Sequence, residues 1–141
     1  MTLPITPVGG NSMAPGMFAV TFVPDQLIAG PHQLVTDTVT IASGQVVARG
    51  AVLGIITASG KYAVALAASS DGSQTPSVIA ADTIDASAGD ALGGVYMAGE
   101  FNGNALVLGT GITLAAAKAA LRPMSIYVKS VPAGLSSADP T

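Results

Sequence analysis

The chain has no cysteine, no tryptophan and a single histidine, and only five basic and eight acidic residues among 141. Each shortage removes a class of function. Without cysteine there are no disulfides, no thiolate metal sites and no thiol nucleophile. A lone histidine, His32, leaves little for a proton relay or an imidazole cage. Five scattered cations (Arg49, Lys61, Lys118, Arg122, Lys129) make a poor footprint for nucleic acid, where several phosphates must be neutralised together. No run reaches the roughly 20 apolar residues of a membrane span. The N-terminus has neither a basic start nor a continuous apolar stretch, so it does not read as a secretory signal.

Half of the residues are apolar, but many are alanine, and there are only three Phe and three Tyr. The core must come from Val, Ile and Leu, a β-leaning set. The length fits one domain. A chain so poor in charge has trouble covering its own surface with polar groups. Contacts with other protein chains are therefore expected to take up much of that surface.

Proline divides the chain. Pro4, Pro7, Pro15, Pro24 and Pro31 crowd the start and Pro132 and Pro140 the end, leaving only Pro76 and Pro123 between. Proline removes a backbone donor, so the ends join a central sheet poorly. The pattern predicts an extended arm over 1–33, a β-rich body over 34–131 and a loose tail over 132–141. The arm has Asp25 as its one charge, yet it carries Met13, Phe18, Phe22, Leu27 and Ile28. Disordered tails are commonly charged and poor in apolar groups. An apolar, uncharged arm suits a segment that gains order on a partner. For 18–28, folding back on its own domain is an equal alternative.

The body reads mainly as strand. Residues 34–41 alternate, 46–57 form an almost continuous apolar run with Gly50 and Gly54 inside it, and 61–67 place Tyr62, Val64 and Leu66 on one face. Further strands are expected over 78–85 and 91–101, and over 124–131 with Met124, Ile126 and Val128 inward. Ser69 to Pro76 is a polar loop. One helix is expected, capped by Thr113, with Leu114, Ala117 and Leu121 on one face, Lys118 and Arg122 toward its end, and Pro123 as its stop. The fold class is mainly β: a small barrel-like domain with one short helix and an extended N-terminal arm.

Motifs for chemistry fail when tested. Gly54 to Lys61 superficially resembles a phosphate loop, but its glycines stand one residue too far apart and Tyr62 replaces the magnesium-binding hydroxyl. Gly109-Thr-Gly111 lacks the third glycine of a dinucleotide fingerprint. No Gly-x-Ser-x-Gly elbow occurs, and His32 has only Asp25 and Asp37 near it in sequence. Residues 43–56 resemble the strand pattern of biotinyl and lipoyl carrier domains, but Lys61 stands between Gly60 and Tyr62, without those domains' acidic or methionine flanks. Among the acids, Glu100 sits alone in an apolar strand beside Phe101. It reads either as an outward strand position or as an interface charge facing Arg49 or Arg122 of a neighbour. No enzyme activity, metal or cofactor is expected.

Several stretches together carry a family pattern: Asp25 to Gly30, Thr38 to Gln45 leading into Arg49 to Gly54, Thr57 to Tyr62, the loop Asp71-Gly72-Ser73-Gln74-Thr75-Pro76, Gly99 to Asn102, and the alanine-rich helix before Pro123. In order and spacing the chain resembles the head decoration proteins of tailed bacteriophages. The resemblance implies a β-clip, a bent β-ribbon closing into a small barrel. It implies a homotrimer on the outer surface of the expanded capsid at local three-fold positions, made in the bacterial host cytoplasm and bound to the major capsid protein. The shell is thereby reinforced against packaged DNA. It implies an arm that adds to the capsid protein's strands, for which Met13, Phe18, Phe22, Leu27 and Ile28 are the expected contacts here; Arg49, Glu100 and Arg122 remain the candidate interface charges read from the residues themselves. The alternatives are another virion accessory, a small-molecule or glycan-binding barrel, or an enzyme shaped like the dUTPases with the 71–75 loop as its polar site.

Overall fold

The structure, a computed structural model, describes residues 26–130. Its strands are β1 (Val35–Ile41), β2 (Val46–Val47), β3 (Val52–Ile55), β4 (Tyr62–Val64), β5 (Val78–Ala80), β6 (Ile84–Asp85), β7 (Ala91–Asn102) and β8 (Ile126–Lys129), with one α-helix, α1 (Leu114–Leu121). The sheet runs β1-β4-β3-β5-β7-β8, and β7 also pairs with β1. That extra pairing closes β1, β4, β3, β5 and β7 into a five-stranded barrel. Closure removes free edges from most of the sheet. The long ladder is antiparallel, from Val35 opposite Ala98 to Ile41 opposite Ala91. The seam is parallel and short: Ile41 stands opposite Tyr62, and the Ala42 N–H donates to the Tyr62 carbonyl at 2.9 Å. β8 continues beyond the ring, parallel to the last residues of β7, and β2 with β6 forms a separate two-stranded ribbon.

Apolar packing falls into two groups. One joins Leu27, Val52, Ile79, Phe101 and Ile126 to the inner face of α1 through Ala117 and Leu121. The other fills the barrel around Ile41, Val47, Leu53, Ile84 and Val95. The rings of Tyr96 and Phe101, both on β7, lie 5.1 Å apart and tilted, an arrangement that aromatic quadrupoles favour. α1 forms where the pattern requires it. The Thr113 side chain accepts from the Ala116 N–H at 3.1 Å, and Pro123 turns the end into a 3₁₀ segment over Arg122–Met124.

The expected fold class holds: mainly β, a small barrel, one short helix. Three element boundaries differ. The 46–57 run breaks at residues 48–51, where Gly50 takes φ +89, so one expected strand becomes β2 and β3. The 78–85 strand likewise divides into β5 and β6, because the chain leaves the barrel after Ala80 to make the ribbon. Met124 is 45% exposed rather than inward, because Ser125 turns through φ +64 and the strand starts only at Ile126.

Candidate functional site

The arm joins the domain at a built junction. Leu27 is buried among Phe101 and its neighbours in the core. Its carbonyl accepts from the Asn102 N–H at 2.8 Å, the Ala29 N–H donates to the Glu100 carbonyl at 2.9 Å, and Ile28 stands antiparallel to Phe101. Three residues thus extend the β1 side of β7 beyond Ala98. Between them and β1 the chain makes an excursion over 30–34. Glu100 holds that excursion. Its carboxylate accepts from the His32 N–H at 3.0 Å and pairs with Lys129. The His32 ring meets Tyr127 edge-on, with centroids 5.3 Å apart. The Lys129 ammonium, by its hydrogen bond first, holds the Glu100 carboxyl below the usual carboxylate range, partly opposed by desolvation.

The structure places the other arm candidates as follows. Met13, Phe18 and Phe22 lie outside the described residues. Leu27 is 2% exposed, so its side chain is occupied by its own domain, whereas Ile28 is 39% exposed beside it. The loop 71–76 uses its polar groups on itself. The Asp71 carboxylate accepts from the Ser73 hydroxyl at 2.6 Å and the Ser73 N–H at 3.0 Å, which lowers its pKa, and the Gln74 side chain accepts from the Gly72 N–H at 2.9 Å. The loop is pressed onto β3: a Cβ at Gly54 would stand 2.1 Å from the Ser73 carbonyl oxygen. Thr75 and Pro76 then lead the chain into β5.

A scan against protein-family models matches residues 21–126 to the family described as bacteriophage lambda head decoration protein D. The chain belongs to the phage head decoration family. The match begins inside the arm, takes in the arm junction, the whole barrel and α1, and ends at the start of β8. A search of the curated proteins finds no match. Membership makes this a structural protein of the phage head, located on the capsid.

For a head decoration protein the surface matters most, and here the charges separate. Arg49 is taken up within the chain. Its guanidinium donates to the Ala81 carbonyl and, at 3.3 Å, to the Tyr96 hydroxyl, while stacking over that ring at 5.9 Å. Glu100 is paired with Lys129 of its own chain. Arg122 is exposed at the end of α1. Sequence reasoning missed the most exposed apolar side chains among the described residues, Leu92 at 72% and Val46 at 60%. A signal for Leu92 was present. Gly94, two positions on, leaves it no apolar companion on its face of the strand. No helix among the described residues is long and apolar enough to cross a membrane.

Proposed function

We propose that this protein binds the outside of the expanded phage capsid as a homotrimer at local three-fold sites, and holds neighbouring capsid subunits together against the pressure of packaged DNA. The observation that carries the reading is the family match across residues 21–126. The geometry of the arm junction supports it: the segment that enters beside β7 is fastened at Leu27 and Glu100, so force on the arm reaches the barrel. In this reading the chain divides into an arm over 1–33, whose last residues are its anchored root, a domain over 34–131 and a tail over 132–141. Met13, Phe18, Phe22 and the exposed Ile28 lie along the major capsid protein, where backbone hydrogen bonds give affinity and alternate side chains fix register. Three arms on one trimer bind with high effective concentration after the first has docked. No turnover or cofactor enters the mechanism. The protein is made in the host cytoplasm and ends on the virion's outer surface.

The test is co-sedimentation with expanded and unexpanded undecorated capsids. Saturation at three copies per local three-fold site on expanded shells alone is the expected result. Failure of the folded protein to bind expanded shells would overturn the proposal. A version lacking residues 1–24 keeps Leu27 and its core contacts; it should remain folded and bind shells far more weakly. Unchanged affinity of that version would remove the arm from the mechanism.

A further inference from the structure

Two patches on this domain complement each other and cannot meet within one chain. The first surrounds a groove of about 520 Å³ lined by Asp82, Asp85 and Leu92. Val46 stands directly opposite Asp85 across the β2–β6 ribbon, so the two side chains share a face. The most exposed large apolar side chains of the described residues therefore flank one groove with two acids on it. Asp82 has no ion-pair or hydrogen-bond partner among the described residues, and Asp85 keeps one carboxylate oxygen on the Ser87 hydroxyl and N–H, leaving the other.

The second patch is the outer face of α1. Lys118 and Arg122 stand one turn apart and line a shallow hollow together with Ala115 and Ala119. Lys61 and Lys129 have carboxylate partners in the chain (Asp90 and Glu100), but Lys118 and Arg122 have none among the described residues. The alanines let a partner approach closely, and the long stems of Lys118 and Arg122 offer apolar surface beside their charges. α1 packs on the Phe101 core, whereas Ile84, at the floor of the groove, packs in the barrel core. The patches thus belong to different parts of the domain. Patches that differ in place and are complementary in charge make a head-to-tail contact, and such contacts form a ring where the rotation between copies closes.

We propose that the α1 face of one copy docks into the Val46–Leu92 groove of the next, Lys118 and Arg122 against Asp82 and Asp85, so that three copies close on themselves. This rests on the trimer reading above and assigns its two surfaces. The charges fix register and orientation, and the apolar contacts supply the surface removed from water.

The experiment is sedimentation equilibrium of the full chain and three variants, with circular dichroism to establish folding. The variants are K118E/R122E, D82K/D85K and the quadruple charge swap. The expected result is a wild-type trimer that each double variant weakens by about tenfold or more, and that the quadruple variant regains. A wild-type trimer unchanged by K118E/R122E would overturn the assignment of surfaces and leave the trimer standing. K118E/R122E changes exposed side chains alone, so it stays decisive if D82K/D85K fails to fold. A monomer at every concentration, also bound singly on capsids, would overturn the trimer itself.

Discussion

The two halves of β7 differ in what the chain provides for them. From Val95 to Asn102 the strand is flanked on both sides, by β1 and then Leu27–Ala29 on one, by β5 and then β8 on the other. Its inward residues are sealed; Phe101 is fully buried. From Ala91 to Gly93 its only strand ladder is with β1, the Gly94 carbonyl accepts from the Ala81 N–H at 2.9 Å, two glycines replace side chains, and Leu92 projects into solvent. The chain completes one half and leaves the other open, and the proposed contact with a neighbouring copy falls on the open half.

The comparison can be broken from its strongest side first. Phe101→Ala should destabilise the domain by about 3–5 kcal/mol in urea unfolding, because it empties the centre of a packed cluster. Gly99→Ala should cost about 1–3 kcal/mol: the residue has φ +148, and a Cβ would stand 2.5 Å from Leu34 and 3.0 Å from the Phe101 ring. Glu100→Gln should loosen the arm root without unfolding the barrel, read as faster hydrogen exchange at the Ala29 and His32 amides. Its pH dependence follows from linkage. The folded carboxyl has a lowered pKa, so its contribution is present above the ordinary carboxylate value of about 4 and is lost as pH falls through the lowered folded value. Wild-type protection at His32 should drop on that acidification, whereas in E100Q it should already be low and nearly flat. Gly93→Ala, in the open half, should like Gly99→Ala cost about 1–3 kcal/mol, because its Cβ would stand 2.1 Å from Cδ1 and 2.5 Å from Cγ1 of the buried, β-branched Ile84. Leu92→Ser should change monomer stability by about 0.5 kcal/mol or less yet weaken self-association; equal loss of both would show that Leu92 serves the fold.

Much of this was legible in the sequence. The alternation of residues 34–41, the Thr113 cap with its Pro123 stop, and the polar 69–76 segment each gave their element, because local chemistry decides them. Where tertiary demands decide, local pattern failed. Nothing local says that the chain must leave the barrel after Ala80, or that the apolar run over 46–57 must bend at Gly50 to make a ribbon with β6. Leu27 read equally as arm and as core, since burial depends on Phe101, far along the chain. Glu100 showed itself as an isolated acid, but its partners His32 and Lys129 are brought to it only by the junction of three segments.

That junction also has a direction. Leu27 lies level with Asn102, β8 runs parallel to β7, and Lys129 is likewise level with Asn102, so the chain enters at Gln26 and leaves at Ser130 from the same end of β7. A pull on Gln26 away from that end runs along the strand axis, across the hydrogen bonds at Leu27 and Ala29. It loads them in shear, both at once and together with the withdrawal of Leu27 from its socket, instead of peeling them one after another. A short joint built on these hydrogen bonds and one leucine is thereby placed in the orientation in which it yields last.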